Sequence, residues 1–302
     1  MTKTGADFIL VILKEGMQPW EWQIGFREEA PSRGRNTMTK TELLDRCARD
    51  REERILLGRV LDKGELTRAR GIPAHTVFLS PGQRSAAEGL LNAWGRPRCL
   101  FWGGYEGAER TVCAFLPSWQ EPEDFTADPE GPVGAVEAVF PREIQLSHRD
   151  ILGGLMALGL DREKLGDILI LPGKCQVLAL TEVVPILLSQ WESAGRARLK
   201  LRQIPLSGLE VRPPEVKVIR DTVAAPRLDA VLAAGFSLSR GKAADLIAAG
   251  RVEVNHRECL KGDKTVEKGD VIGCRGLGKC VLADLPGQSR KGRTMVVIER
   301  YI

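Results

Sequence analysis

The residues best suited to chemistry lie near the C-terminal end, where Ser239-Arg240-Gly241-Lys242 opens a predicted helix. Ser239 is placed to N-cap that helix by accepting a hydrogen bond from a free first-turn amide. Cations in a first turn oppose the helix dipole, at about 0.3–1 kcal/mol each for exposed positions. The arrangement makes sense when an anion docks there, because free amides, Arg240 and Lys242 then converge on one phosphate. Arg227, Arg251, Arg257, Lys261 and Lys279 extend the same basic surface. The competing reading is a solvated charged face, and residue types alone leave the two open.

Other candidates carry less. His148-Arg149-Asp150 matches a kinase catalytic-loop tripeptide, but no D-F-G and no kinase-type glycine loop accompany it. A lone histidine before a capped helix is more often structural. Gly276-Leu277-Gly278-Lys279 lacks the spacing and trailing Ser/Thr of a Walker loop. In the glycine-rich turn Gly103-Gly104-Tyr105-Glu106-Gly107-Ala108-Glu109-Arg110, an internal Glu106–Arg110 ion pair is expected to fix the backbone. The seven cysteines (Cys47, Cys99, Cys113, Cys175, Cys259, Cys274, Cys280) are scattered and lack any C-x-x-C pair. With only three histidines there is no zinc-finger spacing, and reduced thiols are the simplest reading. No catalytic residue, metal site or cofactor is expected.

The elements that position these residues follow from periodicity. Arg227-Leu228-Asp229 opens a short helix with Leu228, Val231 and Leu232 inward. The next helix buries Ala243, Leu246 and Ile247 and stops at Gly250, which suits a left-handed C-terminal position. Val252 and Val254 alternate with Glu253 and Asn255 as a half-buried strand. A turn over 255–258 and another at Lys268-Gly269-Asp270 lead to a strand at Val271-Ile272. Upstream, residues 39–62 read as one amphipathic helix with Thr41 as a cap. Strands are expected at 76–79, Cys99–Trp102, 111–115, 133–140, 168–171, 175–180 and 198–204. Helices are expected at 83–94, from Ser147 or Asp150 through Leu158, and at 181–193, with a surface loop at 121–132. This succession points to an α+β layer structure.

Bulk properties set the frame. The chain has 302 residues, of which 43% are hydrophobic and 28% charged, as in globular proteins. No apolar run approaches the roughly 20 residues of a bilayer-spanning helix. The net charge is +4, but it is unevenly spread. From Arg220 onward there are 15 basic and 10 acidic residues, a net of +5, while the remainder holds 29 and 30, a net of −1. That is the footprint of a polyanion-binding module on a neutral body. Residues 1–37 hold too many acids for a transit peptide and read as a disordered extension or a misassigned start.

The string Arg227-Leu228-Asp229, Ser239-Arg240-Gly241-Lys242-Ala243, Leu246-Ile247, Gly250, Val252, Val254-Asn255 and Gly269-Asp270 resembles the S4 RNA-binding domain. His256 departs from it, since many members carry glycine there. The glycine-rich turn at 103–110, with Leu146-Ser147-His148-Arg149-Asp150-Ile151-Leu152-Gly153, Leu158-Gly159-Leu160 and Arg162-Glu163-Lys164-Leu165-Gly166-Asp167-Ile168, resembles the YlmH family of bacterial RNA-binding proteins, akin to photosystem II S4-domain proteins. The resemblance runs from about Thr39 to Arg300. It implies a helical N-terminal part (38–72), a central α/β RNA-binding domain (73–208), a linker (209–221) marked by Pro213-Pro214, an S4 domain of the alpha-L type (222–285) and a C-terminal tail (286–302). It further implies RNA contacts through Arg227, Ser239, Arg240, Lys242, Arg251, Asn255, His256, Arg257, Lys261 and Lys279, largely by shape and phosphates. His148, Arg149, Arg162 and Lys164 form a candidate second RNA surface, or else a salt-bridged one with Asp150, Asp161 and Glu163.

The function so implied is non-enzymatic binding of structured rRNA or tRNA by a cytoplasmic monomer on the large ribosomal subunit, including stalled complexes that hold peptidyl-tRNA. The alternative is an RNA-modifying enzyme with an S4 anchor, a pseudouridine synthase or an rRNA methyltransferase. Against it, no cofactor-cradling glycine loop follows an early strand, and Asp229 belongs to the S4 helix rather than to a synthase domain. A third class is an interaction scaffold, as in cell division or photosystem assembly.

Overall fold

The computed structural model describes residues 38–213 and 215–302. The readings made for residues 1–37, and Pro214 of the proline pair, lie outside the described residues. The chain divides into two compact units, the first ending at Glu210 and the second running Val211–Ile302.

In the first unit, α1 (Lys40–Cys47) and α2 (Arg51–Arg70) replace the single helix expected over 39–62. Thr39, not Thr41, caps α1 in a capping box with Glu42. The break falls at Asp50, whose carboxylate accepts from the Glu53 amide at 2.8 Å and starts α2 afresh. A short acidic side chain gains more by capping a new helix than by continuing an old one. There follow β1 (Ala74–His75), α3 (Pro81–Ala93), β2 (Cys99–Trp102) and β3 (Val112–Phe115), with β3 central in the order β1-β3-β2. The strand expected at 76–79 is reduced to an isolated bridge between Leu79 and Thr111. Leu57, Leu61, Leu90, Phe101 and Phe115 share one buried cluster. The boundary expected at 72/73 therefore crosses a single core.

The 121–132 loop contains a short helix, α4 (Pro122–Ala127). Beyond it lie β4 (Val133–Val139), α5 (His148–Met156), β5 (Leu165–Leu171), β6 (Lys174–Leu180), α6 (Val184–Gln190), β7 (Ser193–Ala194), β8 (Ala197–Arg198) and β9 (Lys200–Ile204). The sheet runs β5-β6-β4-β9 with every pair antiparallel. This is the split β-α-β-β-α-β arrangement. α6 lies so close to β4 that a Cβ on Gly134 would meet Val184 at 2.8 Å. Residues alternate across a strand, so Glu137 points to the face away from α6. There Glu137, 2% exposed, accepts from Lys174 at 3.0 Å, Gln176 at 3.1 Å and Arg202 at 2.8 Å.

In the second unit, β10 (Val216–Val223), α7 (Leu228–Phe236), α8 (Arg240–Ala248), β11 (Val252–Val254), β12 (Arg257–Glu258), β13 (Val271–Cys274), β14 (Gly278–Gln288) and β15 (Thr294–Tyr301) form one layer of helices on one antiparallel sheet. The strand order is β10-β15-β14-β13-β11-β12. Leu228, Val231, Leu232, Ala243 and Ile247 from the helices meet Val252, Ile272, Cys280, Leu282, Val296 and Ile298 from the sheet. The segment read as a linker supplies most of β10, and the segment read as a tail supplies β15. These two strands pair along their whole length, from Val216↔Tyr301 to Val223↔Thr294.

Candidate nucleic-acid interface

Arg227 is the N-cap residue of α7, and two residues later Asp229 sits in the first helical turn, 8% exposed. A buried carboxylate needs partners. Arg227 gives it two, Nε to Oδ1 at 3.2 Å and the terminal nitrogen to Oδ2 at 3.1 Å, in the fork geometry suited to guanidinium and carboxylate. Arg240, the first residue of α8, donates to the same Oδ2 at 3.0 Å. Burial by itself raises the Asp229 pKa, but the hydrogen bonds from Arg227 and Arg240 outweigh it and hold the carboxyl below its ordinary value. One carboxylate thus orders two guanidinium groups whose side chains remain 44% and 60% exposed. Two positive charges surround one negative charge, leaving a fixed surplus.

Neighbouring elements add to it. Ser239 caps α8 as expected, accepting from the Lys242 amide at 3.2 Å, and the Lys242 side chain is exposed. The loop 261–264 is stitched to α7, because Leu228 N–H donates to the Lys264 carbonyl at 2.8 Å and Asp229 N–H to Gly262 at 2.9 Å. Lys261 and Lys264 are exposed on that loop. Sequence reasoning missed Lys264, which no helical or strand period marks. The signal available was its position in the Lys261-Gly262-Asp263-Lys264 turn.

The other expected contacts serve different ends. Both ends of the Asn255 amide are engaged, Nδ2 donating to Asp270 at 2.8 Å and Oδ1 accepting from Val271 N–H at 2.9 Å. Asn255 and His256 both lie in the left-handed region, φ 50° and 61°, forming the two-residue turn between β11 and β12. His256 therefore adopts the backbone that glycine adopts more cheaply. Gly250 takes its expected left-handed stop at φ 67°. Arg251 donates to the Arg275 carbonyl at 2.8 Å, while Arg257 lies exposed on β12. Lys279 stacks on Tyr301 at 4.5 Å, on the sheet face opposite α7 and α8, because its neighbour Cys280 fills the core. The structure does not bring Lys279 to the Asp229 cluster.

The candidate second surface is divided. His148 and Arg149 are exposed in the first turn of α5, and Asp150 closes a capping box with Ser147 at 2.8 Å. Arg162 instead turns inward, donating to the carbonyls of Leu165 at 2.6 Å and Gly166 at 3.2 Å. Lys164 lies 3.9 Å from Glu182. The glycine-rich turn is not fixed by Glu106. Asp167 holds it by accepting from the Tyr105 hydroxyl at 2.8 Å and the amides of Glu109 at 2.7 Å and Arg110 at 3.0 Å. Arg110 reaches the Leu165 carbonyl at 2.9 Å, and burial, with Arg162 nearby, pulls its pKa down to about 10. Among the described residues no cluster of three His, Cys, Asp or Glu is placed to hold a metal, and no helix is long and apolar enough to cross a membrane. All seven cysteines are free thiols.

A helix pair with an arginine-laden N-terminal edge, set on a sheet, is the S4 class of RNA-binding module, and the S4 family model matches residues 226–272. The model described as "Putative RNA-binding domain in YlmH" matches 135–208, the split β-α-β-β-α-β sheet. The chain is 30% identical over 254 residues to the ribosome-associated protein quality control protein P2 of Bacillus subtilis, covering 83% of this chain and 96% of that one. It also matches the solved cell division protein ylmH from Streptococcus pneumoniae, 22% identical over 52% of this chain and 94% of that one, with a TM-score of 0.43. The chain belongs to the YlmH family of S4-domain RNA-binding proteins.

Proposed function

We propose that this protein binds ribosomal RNA on the large subunit, in complexes that have stalled with peptidyl-tRNA, and that it acts by binding rather than by catalysis, as a cytoplasmic monomer. The observation that carries the reading is the Asp229 cluster, a half-buried and an exposed arginine fixed by one buried carboxylate at the meeting of two helix N-termini. Fixed guanidinium groups meet phosphate oxygens without losing side-chain freedom at the moment of binding. Arg227, Arg240, Lys242, Lys261 and Lys264 contact phosphates in this reading. Ser239 and Asn255 shape the backbone that carries them, and Arg251, His256 and Arg257 flank the contact. The relative's name places it in ribosome-associated quality control, which supports the choice of partner. Both matched domains are RNA-binding modules, and neither is a synthase or methyltransferase domain, which favours binding over modification.

The test is Arg240→Glu with Lys242→Glu in the full chain. Charge-assisted hydrogen bonds contribute about 1.5–3 kcal/mol each, so affinity for large-subunit rRNA is expected to fall by more than about a hundredfold. Arg240→Glu also removes a partner of the buried Asp229 and lowers the melting temperature, so binding is read well below the variant's own transition. Unchanged binding by this double variant would refute the site.

A further inference from the structure

We propose that the tip of the β14–β15 hairpin is a second RNA-backbone contact, built from Arg290 and Lys291 and continuous with the Asp229 cluster. The inference rests on the RNA-binding reading above and extends it to a part of the chain that lies outside both matched domains, which end at 208 and 272.

Charge density comes first. Between Leu285 and Ile298 there are three cations, Arg290, Lys291 and Arg293, and no acid. Arg290 and Lys291 are exposed, and neither takes part in an ion pair among the described residues. The Asp229 arginines are partly neutralised by their carboxylate; these two charges are not. A short basic run on a mobile tail is ordinarily solvated, but this one is held in shape.

The tip is closed by Ser289 N–H to the Arg293 carbonyl at 2.7 Å and Gly292 N–H to the Ser289 carbonyl at 2.9 Å, with Gly292 at φ 71°. Arg293 is the tether: its guanidinium donates to the Thr222 hydroxyl at 3.2 Å and to the Thr222 carbonyl on β10. Register shifts between Leu282 and Gly287 bend the outer half of β14 away from a regular ladder. One arginine is thereby committed to fixing the loop, which leaves two cations presented from a fixed base.

Position supplies the link to the known surface. Val223 pairs with Thr294, immediately after the tip, and Arg227 follows Val223 by four residues. Four residues of chain span at most about 14 Å, so the base of the tip and the N-cap of α7 lie at the same end of this unit. In the proposed arrangement, a polyanion seated on Arg227 and Arg240 extends across this end of the unit to the tip. The side chains presented there carry no aromatic ring, so the contact is with phosphates, independent of base identity.

The experiment is fluorescence anisotropy of the full chain with a labelled RNA stem-loop across a potassium chloride series. Wild type, Arg290→Gln/Lys291→Gln, and a control pair, Lys63→Gln/Arg68→Gln on α2, are compared. Each phosphate contact contributes about 0.7–0.9 to the slope of log affinity against log salt. The tip variant is expected to bind about tenfold more weakly at low salt, with a slope smaller by about 1.4–1.8, while the control keeps both. A tip variant with wild-type slope would overturn the inference and leave the Asp229 reading standing. Wild type with no salt-sensitive binding would overturn that reading itself. A variant that instead loses only its binding to phosphatidylglycerol vesicles would assign the tip to a lipid surface, contrary to the proposal.

Discussion

Among the described residues, each unit of the molecule buries one carboxylate and surrounds it with cations, and the two arrangements have different charge balances. Glu137, in the central sheet, faces Lys174 and Arg202, but Lys174 also pairs with Glu210, so two acids meet two bases. Asp229, in the S4 unit, faces Arg227 and Arg240 alone, so one acid meets two bases. The first cluster is electrically closed, and the segment after β9 seals it: Gln176, fully buried, donates to the Gly208 carbonyl at 3.2 Å and accepts from the Glu210 amide at 2.7 Å. The second cluster is open and keeps a positive surplus at the surface. The same chemistry therefore builds structure in one place and a phosphate site in the other, and the count of acids decides which.

Matched neutralisations are the strongest way to break this contrast. Arg227→Gln with Arg240→Gln is expected to cost about a hundredfold in RNA affinity, since two charge-assisted contacts are lost, and also to destabilise the second unit, because Asp229 is left without its cations. Lys174→Gln with Arg202→Gln is expected to leave affinity within about twofold but to destabilise the first unit by about 3 kcal/mol, because Glu137 is left buried without its cations. Urea unfolding and anisotropy on the same samples read both. Equal effects of the two pairs on RNA affinity would erase the distinction.

Acid sharpens it further. The Glu137 carboxyl is desolvated, but hydrogen bonds from Arg202, Lys174 and Gln176 more than compensate and hold its pKa down to about 2. An unfolded glutamate titrates near ~4.3. The ion pairs of Glu137 thus stabilise the fold fully above ~pH 4.3, and the contribution disappears as pH falls toward 2. Glu137→Gln is expected to flatten stability against pH over that interval; an unaltered profile would mean the cluster contributes nothing.

Smaller effects separate geometry from charge at the S4 site. Asp229→Asn increases the local positive charge while loosening both guanidinium groups, so pure electrostatics requires tighter RNA binding and positioning requires weaker. A loss of roughly fivefold to tenfold is expected, from misplaced contacts rather than missing ones. Smallest of all, His256→Gly is expected to raise stability by about 0.5–1 kcal/mol by removing a Cβ from a left-handed turn position. Thermal unfolding detects it, and a destabilised variant would show that the imidazole contributes more than the backbone loses.

Much of the S4 module was legible because its determinants are local. Ser239 caps within three residues, Gly250 stops a helix by its own conformational range, and Val252 and Val254 alternate on one short strand. The features that escaped are held by distant partners. Asp167 anchors a turn 57 residues upstream at Arg110, and nothing near Asp167 announces that role. β10 and β15 read as linker and tail because each becomes a strand only against the other, with Val216 opposite Tyr301. Glu137 looks like an ordinary polar position until strands β6 and β9 bring Lys174 and Arg202 beside it. At the candidate site, the cations were readable as types, but their sorting was not. Whether a residue is presented, as Arg240 is, or spent internally, as Arg162 is, depends on carbonyls and carboxylates that only folding supplies.

The most direct measurement is sedimentation of the full chain with ribosomes through sucrose, with and without RNase, at low and high salt, alongside Arg227→Gln/Arg240→Gln. The expected result is wild-type protein travelling with the large subunit at low salt, released by high salt or RNase, and the variant remaining at the top. Wild type at the top of every gradient, or a variant that travels as wild type does, would contradict ribosomal RNA binding through the Asp229 cluster.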